Sequence, residues 1–189
     1  PVEPAGSNVS DVDGGTGKSD AALISEDYRD ELTKRFNGYA KGLASTHKVA
    51  PETLNGEGAL NNRYIASLYD DLGNALILRD TQETALAAEP NSKYKIQDLK
   101  AAADRVNEVS QALREVGQDA YIDELVQAQN KKMRDSVIQN LVNAHTKQSV
   151  QDNVALGTKL NEQKEAARTK SDFAQMLDAF VKGSNTSAS

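Results

Sequence analysis

Gly17-Lys18-Ser19 has the look of the end of a phosphate-binding loop. That loop needs a first Gly, four residues, then Gly-Lys-Ser/Thr. The first Gly belongs at position 12, where Val12 stands. A buried strand must also lead into the loop and a helix must leave it. Residues 1–10, PVEPAGSNVS, contain no apolar run of strand length. A calcium loop counted from Asp11 fares no better. Asp13 suits its third position, but Gly15, Thr16 and Ala22 stand where Asp/Asn, Gly and Glu are wanted. Residues 1–24 are therefore expected to be a flexible or extended tail.

The remaining reactive groups are sparse. The chain has no Cys, which excludes disulfides, thiolate metal sites and Cys nucleophiles. His47 and His145 are its only histidines, and neither has a Glu three residues before it. The Glu-x-x-His pair of helical di-iron sites is thus absent. Asp70, Asp71 and Glu83, and Asp119, Asp123 and Glu124, have the spacing of a solvated face rather than of a catalytic pair. No Ser lies in Gly-x-Ser-x-Gly. No catalytic residue, metal or cofactor is predicted, and the chain reads as a non-enzyme.

Basic residues make the one further candidate. Lys131, Lys132, Arg134 and Lys147 form a potential phosphate-contacting patch, extended by Lys159, Lys164, Arg168 and Lys170. Charge is unevenly spread. Residues 1–130 hold 13 Lys and Arg against 22 Asp and Glu, and residues 131–189 hold 9 against 6. The net charge of -6 opposes a nucleic-acid footprint for the chain as a whole.

The elements that must position these groups are helices. Tyr28, Leu32, Phe36, Tyr39 and Leu43 form one stripe over about 26–45, with Ser25 as its cap. Gly38 and Gly42 lie within this helix and either weaken it or admit another backbone. Pro51, Asn55-Gly56 and Gly58 mark a loop. A second helix spans about 59–88, with Gly73 as a point of close contact. Pro90 ends it and Ser92 caps the next.

The helix over 93–116 has the sharpest pattern. Leu99, Ala102, Val106, Val109, Leu113 and Val116 step by three and four, a heptad seam closed by Gly117. A fourth helix starts after Asp119, with Ile122, Leu125 or Val126, Met133, Val137, Leu141 and Ala144 as its stripe and Asn130 near the seam. The short link between these two predicts an antiparallel hairpin. Residues 147–170 are polar and read as a weak helix or linker. Ser171 caps an amphipathic helix over 171–183, with Phe173, Met176, Leu177, Phe180 and Val181 on one face and Gly183 at its end. Residues 184–189 are read as disordered.

The expected fold is all-α. It is a helical bundle over 25–146 with a central antiparallel, coiled-coil-like hairpin and extended or flexible termini. No apolar run has the length of a membrane span, and a soluble protein of virion or cytoplasm is expected. The expected function is a non-catalytic structural or assembly protein. It self-associates as a homo-oligomer through Leu99, Val106, Val109, Leu113, Val116, Ile122, Val137 and Leu141. It binds a protein partner through Phe173, Met176, Leu177 and Phe180. A virion or phage-assembly component of coat, scaffold or adaptor type is expected, by analogy of organisation. The alternatives are a nucleic-acid-associated packaging factor of small-terminase type and a secreted helical effector or tip protein.

Overall fold

The computed structural model describes residues 23–188, with side chains through Ser184. The GTGKS stretch and nearly all of the N-terminal tail lie outside the described residues. The described residues form α1 (Glu26–His47), a 3-10 turn (Pro51–Leu54), α2 (Gly58–Ala88), α3 (Lys93–Glu115), α4 (Ile122–Val126) and α5 (Lys131–Ala188), with no strand. The expected all-α bundle is the fold.

Its centre is α2. Ala59, Leu60, Ile65, Ala66, Leu68, Tyr69, Leu72, Ala75 and Leu76 are buried over a wide arc of this helix. A helix apolar over so much of its circumference is stable only when neighbours surround it. Contacts with α1 and α5 pair low residue numbers of α2 with high numbers of each neighbour. Tyr28 meets Asp71 while Tyr39 meets Arg63, and Asp80 meets Arg134 while Ala59 meets Ser149; α3 turns back from α2 at 89–92, so that Gln118, just past its end, meets Tyr69. All three neighbours therefore run antiparallel to α2.

The main core joins Tyr28 and Leu32 of α1 to Leu68, Leu72 and Leu76 of α2. It adds Val106, Val109 and Leu113 of α3, Ile122 and Leu125 of α4, and Ile138 of α5. Beyond the end of α3, a second cluster of Ala40, Ala44, Leu54, Leu60 and Leu156 continues the packing. Gly73 is the predicted close contact: a Cβ there would sit 3.3 Å from Ile138 Cγ2. Gly38 and Gly42 are not, since a Cβ on either would meet nothing within 4 Å.

Helix ends follow the local chemistry. Ser25 Oγ accepts from the Tyr28 backbone N–H, and Ser92 Oγ from that of Lys95. Gly117, at φ 79°, lets the Gln118 N–H return to the Leu113 carbonyl and close α3. Ile24 differs from expectation. It is buried in the main core, so the tail is anchored before residue 25.

Three expectations change. First, the hairpin joined by a tight link at the centre is α2–α3, turned by Glu89–Ser92, and not a pairing of α3 with the next helix. The apolar arc of α2 is wider than that of any neighbour, and it claims both α3 and α5. Second, the helix expected from 119 is broken. It stops at Val126, and Asn130 restarts it by accepting from the Met133 N–H. The restart shifts the buried face. Arg134, Ile138 and Leu141 turn inward, while Met133 and Val137 are 64% and 40% exposed. Asn130 is a cap and not a seam residue.

Third, α5 runs unbroken for 58 residues. At 1.5 Å per residue that is about 87 Å. Ser171 and Gly183 are interior to it, and the helix continues to Ala188 rather than ending before 184. The segment 161–170, NEQKEAARTK, is rich in good helix formers. A helix already nucleated by the bundle adds such residues without paying the nucleation cost.

Candidate functional site

The basic candidates do not gather into one patch. Arg134 is fully buried, and its Nη1 and Nη2 donate to Asp80 at 3.3 and 2.7 Å. A second bond from Nη2 reaches Asp135 at 2.8 Å. Lys131 Nζ stands 3.6 Å from Asp80. Burial disfavours the charged form of Asp80, but the hydrogen bond and charge of Arg134, with Lys131, outweigh it and hold the carboxyl below its usual range. Lys159 is tied to Glu57 at 2.9 Å and Arg168 to Glu165 at 2.7 Å. Lys132 and Lys147 are exposed but lie 15 residues apart on α5, about 22 Å. The expectation that Arg134 contacts nucleic acid is overturned by its burial.

The self-association seam is likewise occupied. Val106, Val109, Leu113 and Ile122 are at most 1% exposed and packed in the main core, with Val116 and Leu141 partly buried against it. Leu99 is half-buried and Val137 exposed. The heptad spacing was real, but its partner is the chain's own α2. Those buried residues cannot also meet a second copy while the bundle is folded.

Several polar groups inside the bundle are paired with one another, while the buried Ser110 Oγ and Gln111 Oε1 have no hydrogen-bond partner. Tyr28 OH donates to Asp71 at 2.8 Å, and Arg35 donates to the same carboxylate oxygen at 2.8 Å. Burial first, and then Asp71, pushes the Tyr28 hydroxyl far above the usual phenol range. Arg105 lies 4.0 Å over the Tyr28 ring. Between α2 and α5, His145 Nδ1 meets Asn62 Oδ1 at 2.8 Å, and Asn62 Nδ2 donates to Asp152 at 2.9 Å. His145 also stacks on Tyr69, and burial lowers its pKa. His47 Nε2 bonds Asn153 Oδ1 at 2.6 Å. Among the described residues no group of three or more His, Asp or Glu side chains is placed to hold a metal ion. None of their helices is long and apolar enough to cross a membrane.

Single large apolar side chains such as Tyr94, Tyr121 and Met133 are exposed on the bundle, and a group of five is exposed together near the end of α5. Its last contact with the bundle is through Leu156 and Leu160. From Asn161 to Ser184 every residue is exposed. The stretch from Asn161 to Ala188, past the last residue of the bundle clusters, is about 42 Å long. Phe173, Met176, Leu177, Phe180 and Val181 share one face of it and are between 49% and 73% exposed. Residues at i, i+3, i+4, i+7 and i+8 make the stripe by which a helix packs on another surface. The stripe starts 13 residues past Leu160, about 20 Å beyond the bundle, and points roughly 100° away from the face that α5 turns to the bundle. It is not a continuation of the core.

Surface ion pairs support this free helix at Glu165–Arg168 and Asp178–Lys182. Its charged residues balance, with four Lys and Arg and four Asp and Glu over 161–184. The spacing predicts one apolar stripe here, and the structure leaves that stripe exposed. The spacing did not show that the face would be held away from the bundle, because polar residues at 161–170 look the same in a helix and in a linker.

Compared with protein-family models, with curated proteins and with solved structures, the chain matches none.

Proposed function

We propose that this chain is a non-catalytic assembly protein whose bundle is a rigid base and whose α5 carries the contact surface. One observation supports the reading above the others. A helix stands clear of its own bundle with a two-turn apolar face uncovered. Monomeric proteins seldom expose a contiguous apolar stripe without a use for it. The internal polar groups favour the same reading, since their partners are structural: Tyr28, Arg35 and Asp71 brace α1 on α2, and Arg134 with Asp80 locks α5 to α2. Self-association through helices is the mode we propose, relocated from the α3 seam to the C-terminal half of α5. A virion or phage-assembly component of coat, scaffold or adaptor type is the setting, proposed on organisation alone. The packaging-factor alternative loses support with the burial of Arg134 and the engagement of Lys131 and Lys159.

The test is the mass of the purified chain by light scattering across concentration, at low and at high salt. A defined oligomer that persists at high salt is expected, because an apolar contact is not screened. A monomer at every concentration would remove the reading.

A further inference from the structure

We infer that the partner of the uncovered α5 face is the same face of a second copy, paired antiparallel about the Met176–Leu177 midpoint. The inference rests on the assembly reading above and names its contact.

The spacing is that of a helix pair. Phe173, Met176, Leu177, Phe180 and Val181 lie at i, i+3, i+4, i+7 and i+8, the spacing of one packed helix face, with Thr169 and Ser184 at its two ends. The stripe is also self-complementary. In the antiparallel register Phe173 lies opposite the partner's Phe180, Met176 opposite the partner's Leu177, and Thr169 opposite the partner's Ser184. A two-fold interface requires this reciprocity. Asp172 comes close to the partner's Lys182, and the balanced charge of 161–184 leaves no net repulsion between copies.

The free length fits the register. Paired segments overlap from about 165 to 188, all beyond Leu160, the last residue of either bundle cluster. The partner's bundle then begins past the end of the first chain's helix. The two bundles sit at opposite ends of the pair and do not compete for space.

The area is sufficient. A buried Phe covers about 150–250 Å², so Phe173 and Phe180 at 64% and 73% exposure hold roughly 200–300 Å² between them. Met176, Leu177 and Val181 bring the apolar area to about 500 Å² per chain, or about 1,000 Å² for the pair. That reaches the lower bound for a biological interface, in the range of weak, concentration-dependent pairs. The other candidate occupants fit less well. A membrane surface selects a strongly basic polar face, and a nucleic acid selects net positive charge. The free helix offers neither.

The absence of Cys makes the test direct. Full-length single variants Thr169→Cys and Ser184→Cys are oxidised separately and mixed, beside a Phe173→Asp/Phe180→Asp double variant measured by light scattering. Disulfide-linked dimer is expected only in the mixture. The wild type should have the mass of two chains, and the double variant that of one with its melting temperature unchanged. Thr169→Cys linking to itself would overturn the antiparallel register in favour of a parallel one. An oligomer that the double variant leaves intact would leave the assembly reading standing and overturn this contact. A wild type that is monomeric throughout would end both.

Discussion

Arg134 and Asp80 form a two-pronged ion pair at 2.7 and 3.3 Å between α5 and α2, with the Arg134 side chain wholly shielded from solvent. The pair fixes where α5 begins its run along the bundle, just after the Asn130 cap. Replacing Asp80 leaves the shielded Arg134 with Asp135 as its remaining carboxylate, a loss of one charged partner that costs about 1–3 kcal/mol. Asp80→Asn is expected to lower stability by that order in denaturant unfolding, whereas Lys132→Ala on the exposed side should change it by less than about 0.5 kcal/mol. The acid response follows from the depressed carboxyl. Its folded pKa lies below its unfolded one, so its stabilisation is full above about pH 4 and is lost as pH falls through the folded value. Asp80→Asn should remove that part of the acid transition.

Gly42 and Gly73 are both helix-interior glycines, and the sequence treats them alike. Their surroundings do not. A Cβ on Gly42 meets open space, while one on Gly73 meets Ile138 at 3.3 Å. Gly42→Ala is expected to stabilise by about 0.8–1 kcal/mol through helix propensity. Gly73→Ala should gain less, because Ile138 must shift in a packed core to admit the methyl. Thermal melts of the two variants compare them, and an equal gain would mean that the α2–α5 contact is looser than its distance implies.

What could be read in advance followed from local rules. Ser25, Ser92 and Gly117 carry chemistry that acts within one helical turn; Ser25 and Ser92 start their helices and Gly117 closes α3 where expected. The α3 seam was equally plain from its spacing. Its partner was not, because heptad spacing says that a helix packs without saying on what. Asn130 fits a seam or a cap, and only the break after Val126 decides between them. Arg134 was read as a surface charge, since an Arg is rarely buried unless paired. The carboxylate that buries it lies 54 residues away in sequence. The apolar face at 173–181 was legible as a stripe, but its separation from the bundle depends on the continuity of α5.

His145 gives a second, separate pH window. Burial lowers its pKa, so its neutral form is favoured in the folded chain. The groups facing it are Asn62, with Asp152 behind, and the ring of Tyr69. Its contribution to stability is therefore complete above the unfolded value of about 6.5 and is lost as pH falls through the lower folded value. Urea unfolding midpoints between about pH 7 and pH 5 should fall for the wild type. They should fall less for His145→Gln, well before the Asp80 window is reached. Parallel slopes in the two proteins would show that His145 does not titrate with unfolding.

Ala167 lies on α5 midway between Leu160, the last residue of the bundle clusters, and Phe173, the first of the stripe, and is exposed. Proline there removes one backbone hydrogen bond and clashes with the carbonyl of Gln163, at a local cost of about 3 kcal/mol or more. The bundle does not share that cost if the segment beyond Leu160 folds as an isolated extension. Ala167→Pro is thus expected to leave the cooperative melt of the bundle in place while lowering the helical circular-dichroism signal in proportion to the residues beyond the break. It should also weaken association, although every residue of the apolar stripe is still present, because the segment past the break loses the nucleation that the bundle supplies and a short isolated helix is marginal in water. A fall in the bundle's melting temperature would show instead that the C-terminal helix draws stability from the core. An unchanged oligomer mass would show that the contact needs no rigid arm between bundle and stripe.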